Sequence, residues 1–279
     1  MGGLNSILFV PGSRADRFAK AAESGADLIC IDLEDAVAPD DKDAARDAAI
    51  GSLDTLDPAG VAIRINGLKT AAGLRDLLAL RDAGTKPRLV FIPMVESAAE
   101  PEIASAVLGA GAPGLVPLIE TVRGLRAGDD IASAPGVAAM MFGGGDFSAE
   151  LGTDLAWEPL LAARSAFVMS AAAARIPAID VPFIALDDDI GLEAEVRRAR
   201  ALGFVAKAAI HPKQVETINT VMRPTEEELA EARAALDAYA AAGGKVIRHN
   251  GKMLEAPVVK RFEAMLGMDG PGMKGTDHA

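Results

Sequence analysis

Two acidic residues in the middle of the chain each follow a short apolar segment. Glu120 comes directly after residues 115–119, and Asp146 comes after residues 137–142 and three glycines. An apolar run that ends on a polar residue is typical of a buried parallel strand at its C-terminal end, where barrel enzymes place their active sites. Two carboxylates at one end of a barrel can bind a hard divalent cation, most simply Mg²⁺, whose other positions go to water and substrate.

Two further features suit the binding of an anion beside such a metal. The three glycines at 143–145 carry no Cβ, so their backbone N–H groups can approach an anion closely. Arg64 lies inside an apolar segment, and a buried arginine needs partners, which either a structural ion pair or a bound substrate supplies. We interpret residues 115–146 as the metal and keto-acid site of an enzyme.

Composition limits the class of protein. Of the 279 residues, 50% are hydrophobic, so a large core can be buried, and the net charge of −12 without a Lys/Arg-rich block excludes a general nucleic-acid binder. The single cysteine, Cys30, lies in an apolar run and is interpreted as a core residue. No segment has the length of a membrane span, and no signal-peptide pattern is present, so we expect a soluble cytoplasmic protein without a membrane partner.

The elements that must position these residues alternate along the chain. Predicted strands cover residues 7–10, 28–31, 61–65, 89–94, 115–119, 137–142, 178–183 and 204–210, and predicted helices cover residues 14–23, 41–50, 74–81, 98–108, 158–175 and 188–202. Strict alternation of this kind predicts a parallel sheet, and eight units in roughly 210 residues predict a closed (β/α)₈ TIM barrel of the α/β class. An open doubly wound sheet would need a dinucleotide fingerprint at the first turn, which Pro11-Gly12-Ser13-Arg14 is not.

The predicted barrel domain covers residues 1–222, and a helical extension or lid covers 223–267. Within the extension, residues 225–242 form a predicted helix that begins with a capping box of Thr225 and Glu228. Residues 245–255 are interpreted as a polar turn region, and residues 257–266 as the last helix. The Gly-rich segment 268–279 is predicted to be a disordered tail.

Seven short blocks, taken in order, resemble a known family. They are Leu8-Phe9-Val10-Pro11-Gly12, Ile31-Asp32-Leu33-Glu34-Asp35-Ala36-Val37, Ile63-Arg64-Ile65-Asn66, Leu118-Ile119-Glu120-Thr121, Phe142-Gly143-Gly144-Gly145-Asp146, Ile210-His211-Pro212-Lys213-Gln214 and Gly251-Lys252-Met253. Over roughly residues 5–266 the chain resembles the citrate lyase beta-subunit-like family of the HpcH/HpaI aldolase superfamily, which includes malyl-CoA and citramalyl-CoA lyases. The resemblance implies a (β/α)₈ barrel, a Mg²⁺ ion and Claisen-type cleavage or formation of a C–C bond on an acyl-CoA with a keto acid.

The resemblance also implies roles at the metal. Glu120 and Asp146 correspond to the Mg²⁺ ligands, and Arg64 corresponds to the arginine that contacts the keto-acid oxygen and the developing enolate. Glu34 and Asp35 correspond to acids that orient the arginine and the waters of the metal.

Further implied roles concern the substrate and the subunits. The backbone of Gly144, Gly145 and Asp146 corresponds to the cradle of the keto-acid carboxylate. Glu255 stands where the family usually has an aspartate that reaches a neighbouring subunit's site as an acid/base, so a homotrimer or a multiple of it is implied. Ala206, before Lys207, stands where the family more often has glycine.

Several residues keep a second interpretation. Arg14, with Arg17, opens the first helix and can either meet the CoA phosphates or form a solvated face. Lys207 can be a Schiff-base lysine or a buried ion-pair member. Three more residues are interpreted as follows: Asp32 as structural, His211 as a hydrogen-bonded strand-end residue, and Glu96 as a candidate by its strand-end position alone.

The predicted function is a Mg²⁺-dependent acyl-CoA lyase or synthase. Three alternatives remain open from the sequence. The first is a thioesterase that hydrolyses a malyl-type thioester, and the second is the beta subunit of a carrier-protein-dependent citrate lyase complex. The third is a non-enzymatic barrel used for ligand binding or assembly.

Overall fold

The computed structural model describes residues 4–267, and eight of its strands close into a parallel barrel in the order of the sequence. The strands are β1 (Ser6–Pro11), β2 (Leu28–Asp32), β3 (Val61–Arg64), β4 (Leu89–Ile92), β5 (Gly114–Ile119), β6 (Met140–Phe142), β7 (Ala178–Asp180) and β8 (Ala206–Ala209). All five residues of β2 and all four of β4 are buried, because helices cover the outside of the barrel and side chains fill the inside. The predicted TIM barrel is therefore confirmed.

Ten helices of the barrel unit follow or flank these strands. They are α1 (Phe18–Ala22), α2 (Lys42–Ser52), α3 (Ala71–Asp82), α4 (Ala99–Leu108), α5 (Val122–Arg126), α6 (Gly128–Ala132), α7 (Gly144–Leu151), α8 (Trp157–Ala173), α9 (Asp189–Leu202) and α10 (Val215–Met222). The first predicted helix is wrong in its first turn, because residues Ala15–Arg17 form a 3₁₀ turn and the α-helix begins at Phe18.

The register of the barrel brings charged strand ends together. Asp32 pairs with Pro11 on one side and with Arg64 on the other, so the last residues of β2 and β3 lie beside each other. Ile119 of β5 pairs with Phe142 of β6, so Glu120 and Gly143 begin neighbouring loops. The barrel therefore delivers these side chains to one end, as the alternation of strands and helices predicts.

A second compact unit consists of Leu4 and residues 223–267, while Asn5–Met222 form the barrel unit. It contains α11 (Glu226–Ala241), β9 (Ile247–His249), β10 (Lys252–Leu254) and α12 (Ala256–Gly267), with a core of Ala235, Leu254 and Val259. The predicted capping box at the start of α11 is present in full. The predicted tail, 268–279, lies outside the described residues.

The prediction of a polar turn region at 245–255 is wrong, because these residues contain an antiparallel hairpin of β9 and β10. The two turn residues, Asn250 and Gly251, have φ of 46° and 78°, which is the left-handed geometry of a tight hairpin turn. The Asn-Gly pair was the sequence signal for this hairpin. Among the described residues, no helix has the length and apolar character that crossing a membrane requires.

Candidate active site

The C-terminal ends of the barrel strands surround a pocket of about 310 Å³. Its charged lining residues are Asp32, Asp35, Arg64, Glu120 and Asp146, and two glycines, Gly143 and Gly145, also line it. Its apolar walls include Phe9, Leu118, Met141, Val181, Pro182 and Ile210. The two acids and the arginine that the sequence singled out therefore face one cavity, although they come from three different strand ends.

Glu120 is a buried carboxylate that a backbone amide holds in place. Its Oε2 accepts a hydrogen bond of 2.6 Å from the N–H of Met94, in the loop after β4. Met94 has a φ of 55°, a left-handed conformation that is uncommon for a side chain of its size. The pKa of Glu120 is raised to about 7, mainly by burial and also by the charge of Asp146, although the Met94 N–H and Arg64 both lower it.

Gly143 is required by the position of Glu120. A Cβ at Gly143 would lie 2.1 Å from Cγ of Glu120 and 2.7 Å from its Oε1, so no other residue fits there without moving the carboxylate. A Cβ at Gly145, in contrast, would meet nothing within 4 Å, and this glycine faces the pocket. Of these two glycines, only Gly145 leaves open space beside the backbone for a ligand.

Asp146 lies in the first turn of α7, which the three glycines begin. The N–H groups of residues 144–146 have no intrahelical acceptor because of their position in the first turn, and the positive end of the helix dipole favours an anion there. Asp146 itself is exposed to the pocket. One turn of helix thus offers both a carboxylate for a cation and free amides for an anion.

Arg64 is held between two carboxylates at the edge of the pocket. Its Nε and Nη2 each donate a 2.7 Å hydrogen bond to Asp32, and its Nη1 lies 2.6 Å from Oε2 of Glu34. Burial alone lowers the pKa of Arg64, but the Asp32 carboxylate raises it overall, so the guanidinium stays charged. The phenyl ring of Phe9 lies 5.4 Å from the guanidinium carbon. Asp32 thus forms the structural ion pair, and Arg64 still reaches the pocket.

Glu34, the second carboxylate that contacts Arg64, is half-buried. The pKa of Glu34 is raised to about 8, mainly by burial and also by the charges of Glu120 and Asp35, although the nearby Arg64 lowers it. Asp35 is exposed and lines the pocket. The structure therefore places Glu34 beside Arg64 and Asp35 at the wall of the pocket.

The donor set of this pocket fits a Mg²⁺ ion. Two of its carboxylates, Glu120 and Asp146, come from separate strand ends, and Mg²⁺ in proteins is often bound by one or two carboxylates with water and substrate oxygens. A cation beside Glu120 would favour the charged form that burial disfavours. Among the residues that the structure describes, no group of three or more His, Cys, Asp or Glu side chains could hold a metal, so a site with two protein ligands is the one available.

Two predicted candidates of the barrel unit, Arg14 and Glu96, are not among the described residues that line the pocket. Arg14 is exposed and pairs with Asp16 through contacts of 2.8 and 2.7 Å. Glu96 pairs with Lys69 at 2.7 Å. Glu255 belongs to the C-terminal unit, where it immediately precedes α12.

Two of the open interpretations at β8 are settled by contacts. Lys207 is fully buried, with its Nζ 2.6 Å from Asp180 and 2.7 Å from Glu195, so the ion-pair interpretation holds. His211 accepts a 3.2 Å hydrogen bond from the backbone N–H of Lys213, as a strand-end residue that caps a 3₁₀ turn. The sequence analysis missed the amide of Met94, because a left-handed non-glycine residue leaves no pattern in a sequence.

Comparison with known proteins agrees with this geometry. Residues 5–212 match the model of the HpcH/HpaI aldolase/citrate lyase family. The L-malyl-CoA/beta-methylmalyl-CoA lyase of Cereibacter sphaeroides is 35% identical over 93% of this chain and 92% of that protein. A citrate lyase subunit beta-like protein of Mycobacterium tuberculosis is 38% identical over 93% of each chain.

A solved structure extends the likeness to the fold. CitE from Mycobacterium tuberculosis, in complex with magnesium, acetoacetate and coenzyme A, aligns with a TM-score of 0.82 and 36% identity over 96% of this chain and 98% of that chain. The sequence match, the whole-chain relatives and the closed barrel agree. This chain belongs to the HpcH/HpaI aldolase/citrate lyase family and is a carbon–carbon lyase of the citrate lyase beta-like kind.

Proposed function

We propose that this protein is a Mg²⁺-dependent lyase that cleaves or forms a C–C bond between a keto acid and the enolate of an acyl-CoA. The observation that carries the proposal is that Glu120, Asp146 and Arg64 line one pocket of keto-acid size. The related CitE structure with magnesium, acetoacetate and coenzyme A supports the same ligand classes. Glyoxylate, pyruvate and oxaloacetate are the candidate keto acids, from malyl-CoA, citramalyl-CoA and citryl-CoA respectively.

Different groups of the pocket have different roles in this reaction. Glu120 and Asp146 would hold the Mg²⁺ ion. When bound, the ion would polarise the keto oxygen during C–C bond formation and lower the pKa of the substrate hydroxyl during cleavage. The free amides at the start of α7 bind the keto-acid carboxylate, and Gly145 leaves room for its approach. These contacts fix the reacting carbonyl carbon in one orientation.

Arg64 stabilises the negative charge that develops on oxygen. Because Asp32 and Glu34 hold three of its nitrogens, the guanidinium is preorganised and does not need to reorient as the charge forms. Its raised pKa keeps the proton on the arginine throughout. The apolar walls of the pocket exclude water and so strengthen these electrostatic contacts.

A proton must still move to or from the enolate carbon. We assign this role to Glu255 of a neighbouring subunit, by the place it takes in the Gly251-Lys252-Met253 block. Asp35, which lines the pocket, orients the waters of the metal. A homotrimer, or a multiple of it, is part of the same proposal.

The test uses the purified full chain, first alone and then with an acyl carrier protein. It is incubated with malyl-CoA, citramalyl-CoA or citryl-CoA in the presence of Mg²⁺ or of EDTA, and the products are separated. A keto acid and a shortened acyl-CoA that appear only with Mg²⁺ support the proposal. Free CoA with an intact hydroxy acid would instead show a thioesterase. Activity that needs a carrier protein would show a subunit of a complex, and no turnover with any thioester or carrier would favour a non-enzymatic barrel.

A further inference from the structure

One buried side chain ties together two walls of the pocket. Gln214 is 2% exposed and ends the 3₁₀ turn that follows β8. Its Nε2 donates a 2.7 Å hydrogen bond to the carbonyl oxygen of Phe183, and its Oε1 accepts a 2.9 Å hydrogen bond from the N–H of Ile210. The amide therefore links the loop after β7 to the loop after β8.

Both bonded backbone groups belong to the pocket wall or lie next to it. Ile210 lines the pocket directly, and Pro182, which also lines it, immediately precedes Phe183. Proline has no N–H, so this part of the wall cannot be held by an amide hydrogen bond of its own. On the other side of Pro182, the carbonyl of Val181 accepts a 2.7 Å hydrogen bond from Nζ of Lys207. The Pro182 wall is thus fixed from both sides by β8 and its following turn.

The primary amide of Gln214 satisfies both of its backbone partners. The N–H of Ile210 needs an acceptor and the carbonyl of Phe183 needs a donor, and a glutamine side chain provides one of each in this orientation. A carboxylate of the same size can only accept, so it would repel the Phe183 carbonyl. An apolar side chain of similar length would leave both buried backbone groups unsatisfied, which is costly.

We propose that Gln214 is a positioning residue that sets which substituents the pocket accepts, by fixing the Pro182 wall relative to Ile210. The proposal rests on the function proposed above. The wall is apolar, and one methyl group more or less on a substrate in such a pocket changes kcat/KM by about 10- to 200-fold. A shift of the Pro182 wall by less than the width of a methyl group therefore changes which substrates the enzyme prefers and not the reaction that it catalyses.

The test compares two thioesters that differ by one methyl group. For wild type, Gln214→Glu and Gln214→Met, kcat/KM is measured with malyl-CoA and with citramalyl-CoA. Gln214→Met is expected to change the ratio of the two values by about tenfold, because the wall shifts against the methyl. Gln214→Glu is expected to do so only while the new side chain is ionised, since the protonated acid has one donor and one acceptor. The ratio does not depend on the fraction of folded enzyme, so a loss of stability alone leaves it unchanged.

Asp187→Asn is the matched control. Asp187 is fully exposed and its 3.0 Å ion pair with Lys213 links the same two segments at the surface, where such pairs contribute little. The ratio should stay within about twofold of wild type in this variant. Hydrogen exchange of the Ile210 amide, which donates to Gln214, should become faster in Gln214→Met and stay unchanged in Asp187→Asn.

An unchanged ratio in Gln214→Met, with wild-type exchange of the Ile210 amide, would overturn the proposal. A wild-type enzyme that turns over neither thioester would instead overturn the proposed function. In that case the exchange experiment alone decides whether Gln214 holds the loop, so the two failures are distinguishable.

Discussion

Glu120 is constrained by backbone groups rather than by other side chains. The amide of Met94 holds its Oε2, and the absence of a side chain at Gly143 leaves the space for its Cγ. Asp146, in contrast, is exposed at the start of a helix. The side chain of Glu120 is therefore held in place before a cation binds, whereas the side chain of Asp146 can adjust its position to the cation.

Removing the negative charge of Glu120 or of Asp146 should strongly weaken Mg²⁺ binding. We expect Glu120→Gln and Asp146→Asn to weaken Mg²⁺ binding by more than about 100-fold, because even outer contacts of metal sites are worth 10- to 100-fold. Isothermal titration gives the Kd, and lyase assays should show loss of Mg²⁺-dependent turnover. The melting temperature without metal should stay close to that of wild type. Glu102→Gln, at an exposed acid of α4, serves as control, and an unchanged Kd in Glu120→Gln would remove this residue from the metal site.

Arg64→Lys tests the planar geometry of the guanidinium. A lysine ammonium cannot make the paired bonds to Asp32 together with the contact to Glu34, so the charge is no longer held at the reacting oxygen. We expect kcat to fall by about 10²- to 10³-fold, the range seen when one oxyanion donor is removed. Retention of more than a tenth of the wild-type kcat would rule out this role.

At the scale of elements, the loops after β5 and β6 are interlocked through Gly143. We expect Gly143→Ala to lower the free energy of unfolding by about 1–3 kcal/mol through overpacking and to weaken Mg²⁺ binding, because the new Cβ displaces Glu120. Urea denaturation and titration calorimetry measure the two effects. Gly51→Ala, in α2 with no atom within 4 Å of the added Cβ, should instead stabilise by up to about 1 kcal/mol. Normal Mg²⁺ binding in Gly143→Ala would contradict the interlock.

The fold could be predicted from the sequence because its signal is repeated eight times, but the strand ends could not. The sequence predicts strands over the whole of 178–183 and 204–210, whereas β7 ends at Asp180 and β8 ends at Ala209. The apolar residues beyond these ends line the pocket instead of continuing the sheet. Apolar character reports burial and not hydrogen bonding, so a pocket wall and a strand look alike in a sequence.

That Glu120, Asp146 and Arg64 line one pocket could be predicted, because each combines a charged residue type with a position at or near a strand end. Contacts between residues that are distant in the sequence could not be predicted. The partner of Lys207 is 27 residues away in Asp180, and the donor to Glu120 is the backbone of a residue 26 positions earlier. A backbone donor carries no residue-type signal at all.

At the scale of the whole molecule, the outer layer of the barrel contains a buried group of charges. Asp180 lies between Lys207 at 2.6 Å and Arg164 at 3.0 Å, and all three side chains are at most 1% exposed. Burial alone raises the pKa of Asp180, but the two cations lower it overall. This carboxylate therefore stabilises the folded barrel in its charged form.

We expect Asp180→Asn to lower the free energy of unfolding by about 3–5 kcal/mol, because it leaves two buried cations without their shared anion. Since the folded pKa is depressed, the stabilisation is present above the unfolded value of about 4 and is lost as the pH falls through the folded value. Urea denaturation should show a constant difference from wild type between about pH 5 and 8, which narrows in stronger acid. A difference below about 1 kcal/mol at neutral pH would contradict this account.

The assembly of subunits has its own test. If Glu255 acts in a neighbouring subunit, Glu255→Ala and Arg64→Ala proteins are each inactive. Refolding equal amounts of their unfolded chains together should restore about a quarter of the wild-type activity, because about a quarter of the sites then combine an intact Arg64 with an intact Glu255. Sizing the mixture by light scattering checks that oligomers form. Absence of recovery in mixed oligomers would exclude the cross-subunit role. The trimer and the cytoplasmic location stay predictions of the sequence.

Met94 contacts Glu120 through its backbone N–H and not through its side chain. The side chain can therefore be replaced without removing this hydrogen bond. Met94 is 38% exposed, its backbone contacts a residue that lines the pocket, and the one native cysteine, Cys30, is fully buried. A thiol introduced as Met94→Cys would therefore be the sole accessible attachment point for a fluorescent dye. Such a labelled enzyme would report the arrival of magnesium and keto acid optically, in real time, without a coupled assay.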